Sequence, residues 1–304
     1  MKKFIFLTVF GFLAFSLFAQ NVSDFDIQGN DDGTMTILNY KGTAKEIVIP
    51  ETIFNMPVTR LAEGSFKNKG LTSVVIPSTV TFIGSDTFRE NQITSVTIPE
   101  TVVSIGNYAF ENNRLTTVTL PENLEYIGNS AFANNQITSV AIPGKVIVIG
   151  NYAFASNRLT SITIPDSVTF IGISAFGSNS ITNVVIGNGV IHISDWAFSN
   201  NQITSIRLGS SIRFIGANAF YGHRVSTIVI PESVVYIDAG AFKPDNRNSL
   251  TSITIGKLVM FGWRNDWSGS DGAFNNTTFD SFYVNNQMKA GRYAFASGNW
   301  SYTP

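Results

Sequence analysis

Apolar and polar residues alternate in short runs along this chain, and the same arrangement returns every 22 residues. In one repeat, residues 94–98 are rich in β-branched side chains, and their two-residue alternation predicts a strand that buries Val96 and Ile98. Pro99 lacks an amide hydrogen, so the strand is expected to end there. A second extended piece follows at 102–105. Each repeat therefore predicts two short strands joined by turns.

The turn after the second strand carries the most regular signal in the sequence. Gly106 permits a tight backbone turn, and the residues up to Phe110 predict one short helical turn. A phenylalanine returns at this place without a slip, and an isoleucine five residues earlier keeps the same spacing. A fixed period of this length is typical of a solenoid whose coils pack on their neighbours. The phenylalanines are Phe66, Phe88, Phe110, Phe132, Phe154, Phe176, Phe198, Phe220 and Phe242.

An asparagine also keeps the 22-residue spacing, three residues after the phenylalanine. Its amide can bond the backbone of successive coils and satisfy polar groups that stacking would otherwise bury unpaired. We therefore expect a structural ladder in this column, in preference to glycosylation or ligand binding. The ladder residues are Asn91, Asn113, Asn135, Asn157, Asn179 and Asn201.

The repeat resembles the BspA-type leucine-rich repeats of bacterial surface proteins, strongly over residues 45–256. Two departures stand out: asparagine (Asn135 in one coil) replaces the usual cysteine, and the coil is one residue shorter. In that coil the family pattern is occupied in order by Leu115, Val118, Leu120, Pro121, Leu124, Ile127, Gly128, Ala131 and Phe132. The resemblance implies a right-handed leucine-rich-repeat solenoid of parallel strands and a role in adhesion or recognition. It transfers no functional residue, because the shared motif is all scaffold.

The chain divides into four predicted parts. Residues 1–19 read as a secretory signal, with two lysines before an apolar run; an uncleaved anchor is the alternative. Residues 20–44 predict a hairpin cap, with a turn at 29–33 rather than a calcium loop. Residues 45–276 form the repeat solenoid of about ten coils, with parallel strands and short helical or 3-10 turns. Residues 277–304 predict a C-terminal cap.

The amino-acid composition excludes several classes of function. Only 13% of the residues are charged and the net charge is −1, so nothing favours nucleic acid or an anionic membrane. The absence of cysteine excludes disulfides and thiolate metal sites. His192 and His223 belong to no catalytic or metal-binding motif. We therefore expect no enzyme activity, no metal, no cofactor and no membrane span once the leader is removed.

Two surfaces are candidates for binding a partner. In the first, aromatic residues alternate between two positions of successive coils, either to interlock as packing or to form an exposed stripe that docks a protein or glycan. Its members are Phe82, Tyr108, Tyr126, Tyr152, Phe170, Trp196, Phe214 and Tyr236. The second is the outward side of the first strand, where hydroxyls dominate; simple solubility is the alternative explanation. It includes Thr97, Thr119, Thr163 and Arg207.

Trp263 and Trp267 follow the last regular repeat, as cap residues or as binding anchors. We predict an exported protein, secreted or on the cell surface, that binds proteins of the extracellular matrix, of host cells or of other bacteria. The alternatives are a structural cell-envelope protein and a carbohydrate-binding or carbohydrate-active protein. The sequence leaves the oligomeric state open.

Overall fold

A computed structural model describes residues 20–245, 250–262, 272–274, 279, 283–296 and 299–304. The predicted signal segment, 1–19, lies outside the described residues, and so do Trp263 and Trp267. The described chain is a parallel β-solenoid of about 10 turns of ~22 residues with almost no helix. In the described part, no helix has the length and apolar character that crossing a membrane requires.

One sheet runs the length of the solenoid. This main sheet has 13 strands, and from Phe82 onward each coil adds one strand of two residues, parallel to the last. The N-terminal strands are Phe25–Gly29, Met35–Tyr40, Thr52–Ile53 and Met56–Leu61. The two-residue strands are Phe82–Ile83, Ser104–Ile105, Tyr126–Ile127, Val148–Ile149, Phe170–Ile171, His192–Ile193, Phe214–Ile215, Tyr236–Ile237 and Met260–Phe261.

The other strand of each coil does not form one sheet. Its strands fall into sheets of two, two, three and four members, so the field of hydroxyls expected there is interrupted. The coil at 139–141 has no strand, and Ala141 stands there where the coils on either side have the β-branched Thr119 and Thr163. The strands are Glu46–Val48 with Ser73–Val75; Ser95–Thr97 with Thr117–Thr119; Ser161–Ile164, Asn183–Ile186 and Ser205–Arg207; and Thr227–Val229, Ser252–Ile255, Gly291–Ala296 and Asn299–Thr303.

The core is organised around the phenylalanine column. Each ring from Phe66 to Phe242 is fully buried and stacks on the next, with centroids 5.2 to 5.5 Å apart. Tyr40 stacks on the first ring at 5.8 Å, and Phe274 stacks on the last at 5.3 Å. The aromatic column therefore continues into residues beyond both ends of the regular repeat.

The turn before each phenylalanine differs from the expected short helix. The residues form two successive turns: the Ala131 N–H donates to the Gly128 carbonyl at 3.3 Å, and the Ala133 N–H donates to the Ser130 carbonyl at 3.1 Å. Ser130 has a φ of 53°, and this left-handed residue interrupts the right-handed path that a helix needs. The glycine is required by contact between coils, since a Cβ on Gly128 would lie 2.6 Å from the Gly106 carbonyl carbon.

Antiparallel hairpins lie at both ends of the described solenoid. At the N-terminus, Phe25–Gly29 pairs with Met35–Tyr40, preceded by a 3-10 turn at Val22–Asp24. At the C-terminus, Gly291–Ala296 pairs with Ser252–Ile255 and with Asn299–Thr303. A hairpin at the end of a solenoid covers core side chains that no further coil would bury.

A candidate interaction surface on the main sheet

The outward residues of the main sheet form a regular column. In the two-residue strands from Phe82–Ile83 to Tyr236–Ile237, the isoleucine points into the core and the residue before it points outward. The strands pair in register, so Phe170 lies beside His192 and His192 beside Phe214. We call this the strand column; it consists of Phe82, Ser104, Tyr126, Val148, Phe170, His192, Phe214 and Tyr236.

A second column lies four residues further along each coil. All of its residues have left-handed backbone, with φ between 51° and 66°. Most coils place glycine or a small polar residue there, as suits this conformation, but Tyr108, Tyr152 and Trp196 are aromatic. The left-handed conformation costs an ordinary L-residue about 1–2 kcal/mol. We call this the turn column; it consists of Asp86, Tyr108, Ser130, Tyr152, Ser174, Trp196, Asn218 and Gly240.

The aromatic side chains of both columns reach solvent. Tyr152 is 47% exposed and Phe82 43%, while Phe214, Tyr108 and Tyr126 are also exposed. The remaining three, Phe170, Trp196 and Tyr236, are half-buried. All eight aromatic residues singled out from the sequence therefore lie on the accessible side of one continuous sheet and its adjoining turn.

Sequence reasoning missed a third column, one residue before the strand column. Val103, Ile147 and Ile191 are exposed there, at 48%, 45% and 44%. The coils between them carry polar residues at this place, so the column follows the same 44-residue alternation as the rings, and that signal could have revealed it. We call it the aliphatic column, and the three columns together the aromatic face. The polar members are Thr81, Glu125, Thr169 and Arg213.

The rings of the two aromatic columns do not interlock. Among the described residues, no ring of the strand column contacts a ring of the turn column. His192 lies between Phe170 and Phe214, with centroids 5.4 and 5.9 Å away, inside the strand column. Trp196 contacts Tyr221 of the next coil at 5.8 Å. The columns form separate stripes, unlike the interlocked packing considered from the sequence.

Burial changes the ionisation of two groups in the strand column. It lowers the pKa of His192, against the opposing effect of the nearby Asp195 carboxylate. It also raises the pKa of the Tyr236 hydroxyl, which bonds Asp238 at 3.3 Å. Both shifts favour the uncharged side chain. The strand column is therefore an apolar surface, with neutral polar atoms at its C-terminal end.

A charged cluster lies at the N-terminal end of the turn column. Arg89 lies 3.0 Å from Asp86 and 2.6 Å from Glu111, and its guanidinium is 5.2 Å from the centre of the Tyr108 ring. Burial raises the pKa of Glu111, with the charge of Arg89 acting in the opposite direction. Lys67 adds a second cation 2.8 Å from Asp86. The cluster is internally paired and orients Tyr108.

The asparagine column joins coils through the backbone. In Asn135, Oδ1 accepts the Leu115 N–H at 3.0 Å, and Nδ2 donates to the Phe110 and Phe132 carbonyls at 2.9 and 3.1 Å. Every ladder residue repeats this pattern, and only Asn179 is not fully buried. Both ends of each amide are bonded to backbone groups of two neighbouring coils, as expected for a structural ladder.

His223 occupies the next place in that column. Its ring bonds backbone groups that follow it in the sequence, whereas the asparagines bond backbone groups that precede them. Its Nε2 lies 2.9 Å from the Phe242 carbonyl, and its Nδ1 accepts the Val225 N–H at 3.1 Å. An Nδ1 that accepts a bond carries no proton, so the ring is neutral. Burial lowers the pKa of His223 to about 4.

The hydroxyl surface is exposed but divided. Thr97 and Thr119 lie side by side in one small sheet, while Thr163 and Arg207 belong to another. Between these sheets a groove of about 400 Å³ separates residues 139–142 from 161–165.

The potential metal ligands among the described residues are not clustered. In the N-terminal turn, Asp32 accepts bonds from the Thr34 N–H and hydroxyl at 3.0 and 2.6 Å, as in an ordinary Asx turn. Over the described ranges, no three His, Asp or Glu side chains lie where they could hold a metal ion.

Several solved structures are similar to this chain. The Treponema pallidum leucine-rich repeat protein TpLRR is 21% identical, with 67% of this chain and 88% of that chain covered and a TM-score of 0.47. A leucine-rich cell surface protein of Faecalibacterium prausnitzii A2-165 is 24% identical, with 74% and 85% covered and a TM-score of 0.42. The pneumococcal vaccine antigen PcpA is 16% identical, with 77% and 80% covered and a TM-score of 0.43.

A search of the curated proteins finds no significant match to this chain. A family model described as "BspA type Leucine rich repeat region (6 copies)" matches residues 59–181, 147–264 and 171–301. Together these matches span most of the chain, including every coil that carries the aromatic face. The chain therefore belongs to the BspA-type leucine-rich repeat family.

Proposed function

We propose that this chain is an exported protein that binds other proteins through its aromatic face. The use we propose for this binding is adhesion to matrix or cell-surface proteins of a host, or to other bacteria. The aromatic face lies on the one sheet that is continuous along the solenoid, so a partner can contact many coils at once. Many weak contacts on a rigid surface add up to a specific interface.

One observation carries the proposal: Tyr108, Tyr152 and Trp196 have left-handed backbone. The other coils place glycine there, which has no such cost, or the short polar residues aspartate, asparagine and serine, which can offset it with local hydrogen bonds. No ring–ring contact joins these three side chains to the strand column, so interlocking of the two columns does not explain them. Strained backbone conformations cluster at functional surfaces.

The extent of the exposed apolar surface supports the same proposal. The aromatic face covers eight coils, or roughly 38 Å at about 4.8 Å per coil. Exposed aliphatic side chains lie in the coils between those of the strand-column rings: the coil between Tyr126 and Phe170 has Val148 in the strand column and the exposed Ile147 beside it. A contiguous apolar patch of this length on a soluble protein marks an interaction site.

The proposed location rests on the leader at residues 1–19, which reads as a secretory signal. We propose that the chain acts outside the cytoplasm, as a secreted or surface-attached protein. We also propose that it is not an enzyme. The repeat family is built from binding scaffolds, and the neutral His223 serves the backbone of neighbouring coils.

The test is binding of residues 20–304, which include every described residue, to immobilised fibronectin, fibrinogen and laminin and to a glycan array. The Phe170→Ala/Tyr152→Ala variant removes one ring from each aromatic column and is expected to weaken protein binding at least about tenfold. The matched control is Thr119→Ala/Thr163→Ala on the hydroxyl surface, expected to bind like the parent.

Three results would contradict the proposal. Binding to glycans alone would favour the carbohydrate alternative. Loss of binding in the threonine control, but not in the ring variant, would place the interface on the hydroxyl surface. A complete absence of binding by the folded protein would favour a structural role in the envelope.

A further inference from the structure

The aliphatic column contains two charges in an otherwise uncharged run. Over the eight coils from Thr81 to Val235, only Glu125 and Arg213 are charged at this place. Both side chains are exposed. They lie 44 residues before and 44 residues after Thr169, so they are two coils on either side of the same coil. Their signs are opposite and their positions are symmetric.

Neither charge forms an ion pair with another described residue of its own chain. Glu125 and Arg213 are four coils apart, or roughly 19 Å at about 4.8 Å per coil. Two opposite charges placed symmetrically on an apolar face are complementary to a second copy of that face.

We infer that the aromatic face binds a second copy of this chain, with the two solenoids face to face and their axes antiparallel. The two-fold axis runs along the strand of the coil that contains Thr169. This inference rests on the proposed function, because it takes the aromatic face to be an interface and names its partner. A closed dimer of this kind uses the same patch on both copies.

The two-fold symmetry pairs complementary residues across the interface. Glu125 faces Arg213 of the second copy, and this pair forms twice. Phe170 lies on the axis and faces the same residue of the other copy. Ile147 faces Ile191, and Tyr152 faces Trp196, so aliphatic side chains meet aliphatic ones and rings meet rings.

The two charges select this register over its neighbours. Sliding one copy by a single coil would bring Glu125 against Ile191 or Val235 and leave both charges buried without partners. Burying an unpaired charge is strongly unfavourable, so the mismatched registers are excluded. The alternation of rings alone would allow several registers, because it repeats every two coils.

The area agrees with a specific dimer. Because the axis lies at the Thr169 coil, the seven coils from Val103 to Val235 overlap; taken as flat, they are about 34 Å long and about 16 Å wide, from seven coils of about 4.8 Å and five residue steps of about 3.3 Å. That is about 540 Å² per copy, or about 1,100 Å² in total, just above the roughly 1,000 Å² that a specific interface needs. We therefore expect a reversible dimer.

A charge swap tests the register directly. The full chain is expected to sediment as a monomer–dimer equilibrium. Glu125→Arg alone sets two arginines against each other, and Arg213→Glu alone sets two glutamates, so each is expected to raise the dimer dissociation constant at least about tenfold. The double variant Glu125→Arg/Arg213→Glu restores both pairs and is expected to return within about threefold of the parent. Circular dichroism confirms that each variant folds.

Cross-linking tests the axis independently, since the chain has no cysteine of its own. Facing sheets lie about 10 Å apart, too far for a disulfide, so a short bismaleimide is the probe. Thr169→Cys lies on the axis and is expected to give a covalent dimer. Ser139→Cys, on the hydroxyl surface, is expected to remain a monomer.

A folded parent chain that stays monomeric at all concentrations would overturn the inference, as would a double variant that stays dissociated. Cross-linking through Ser139→Cys but not Thr169→Cys would overturn it too. If the monomer still binds immobilised proteins and loses that binding in Phe170→Ala/Tyr152→Ala, the inference fails while the proposed function stands.

Discussion

The two strands of every coil meet their neighbours in different ways. From Phe82 onward the strands of the main sheet are only two residues long, yet they pair without a break as far as Phe261. The strands of the hydroxyl surface are longer, with up to four residues, yet they separate into several sheets. Strand length therefore does not decide where the coils stay in register.

The difference is explained by what adjoins each strand. The main sheet is followed at once by the glycine turn, the buried phenylalanine and the asparagine, all of which contact the neighbouring coil. The hydroxyl strand has its own backbone bonds, its inward side chains and, in some coils, a single threonine bond to the preceding coil, as from Thr116 Oγ1 to the Thr94 carbonyl at 3.3 Å. The register of the solenoid is therefore held by the turn, and the hydroxyl strands follow it where their residues permit.

The largest effect is expected when one asparagine of the ladder is removed. Asn135→Ala leaves the Leu115 N–H buried without its partner and removes one of the two amide donors to each of the Phe110 and Phe132 carbonyls. At about 1–3 kcal/mol for the unsatisfied N–H and about 1 kcal/mol for each lost carbonyl bond, we expect the free energy of unfolding to fall by about 3–5 kcal/mol. Denaturant unfolding measures it.

The control for that variant is Asn123→Ala, which removes an exposed amide from the turn after the hydroxyl strand. We expect a change of less than about 0.5 kcal/mol. Equal losses in the two variants would show that the buried column does not hold the register.

A pH titration tests the one place where the ladder changes its residue. The pKa of His223 is lowered to about 4 in the folded chain, from an ordinary value of 6.5. The unfolded chain therefore takes up a proton near pH 6.5 while the folded chain does not until about pH 4. Stability is fully present above pH 6.5 and falls as the pH drops from 6.5 to 4, by about 3 kcal/mol in total at 1.36 kcal/mol per pH unit.

His223→Asn supplies the matched comparison, because asparagine fills this column in six other coils. The difference in unfolding free energy between the two proteins is expected to grow between pH 6.5 and 4 and to be constant above pH 7. A difference that does not depend on pH would show that the folded ring already takes up the proton.

A smaller effect of opposite sign is expected on the aromatic face. Tyr152→Asn places at a left-handed position the residue type that Asn218 provides in another coil, and should stabilise the fold by about 1 kcal/mol while weakening partner binding. Tyr126→Asn, on the extended strand, should weaken binding with no gain in stability. Thermal unfolding and binding measurements on these two variants distinguish the effect of backbone strain on stability from the effect of the lost ring on binding.

The smallest effect concerns the gap in the hydroxyl strands. Ala141→Thr restores the residue type of the neighbouring coils and should stabilise by about 0.5 kcal/mol by favouring a strand at 139–141. The reverse change, Thr163→Ala, should cost about the same. If Ala141→Thr destabilises the fold, the groove beside it is shaped by packing instead of propensity.

The repeat period predicted the core and the ladder of this protein, and the resemblance of its residues to the BspA-type repeat predicted the family. Phe132 and Asn135 recur with one spacing, and any side chain with that spacing must meet its own kind in the next coil. The same logic placed the aromatic residues in columns. Such contacts follow from the sequence because they depend only on period and side-chain type.

Other features were decided only by the tertiary structure. The glycine, asparagine and aspartate of the turn column indicate left-handed backbone. Tyr152 and Trp196 in the same column do not, because an aromatic residue rarely adopts that conformation. The exposure of Ile147 and the gap at Ala141 likewise depend on how a whole coil lies against its neighbours. A period specifies which residues meet, whereas the balance between turn packing and strand pairing specifies how closely they meet.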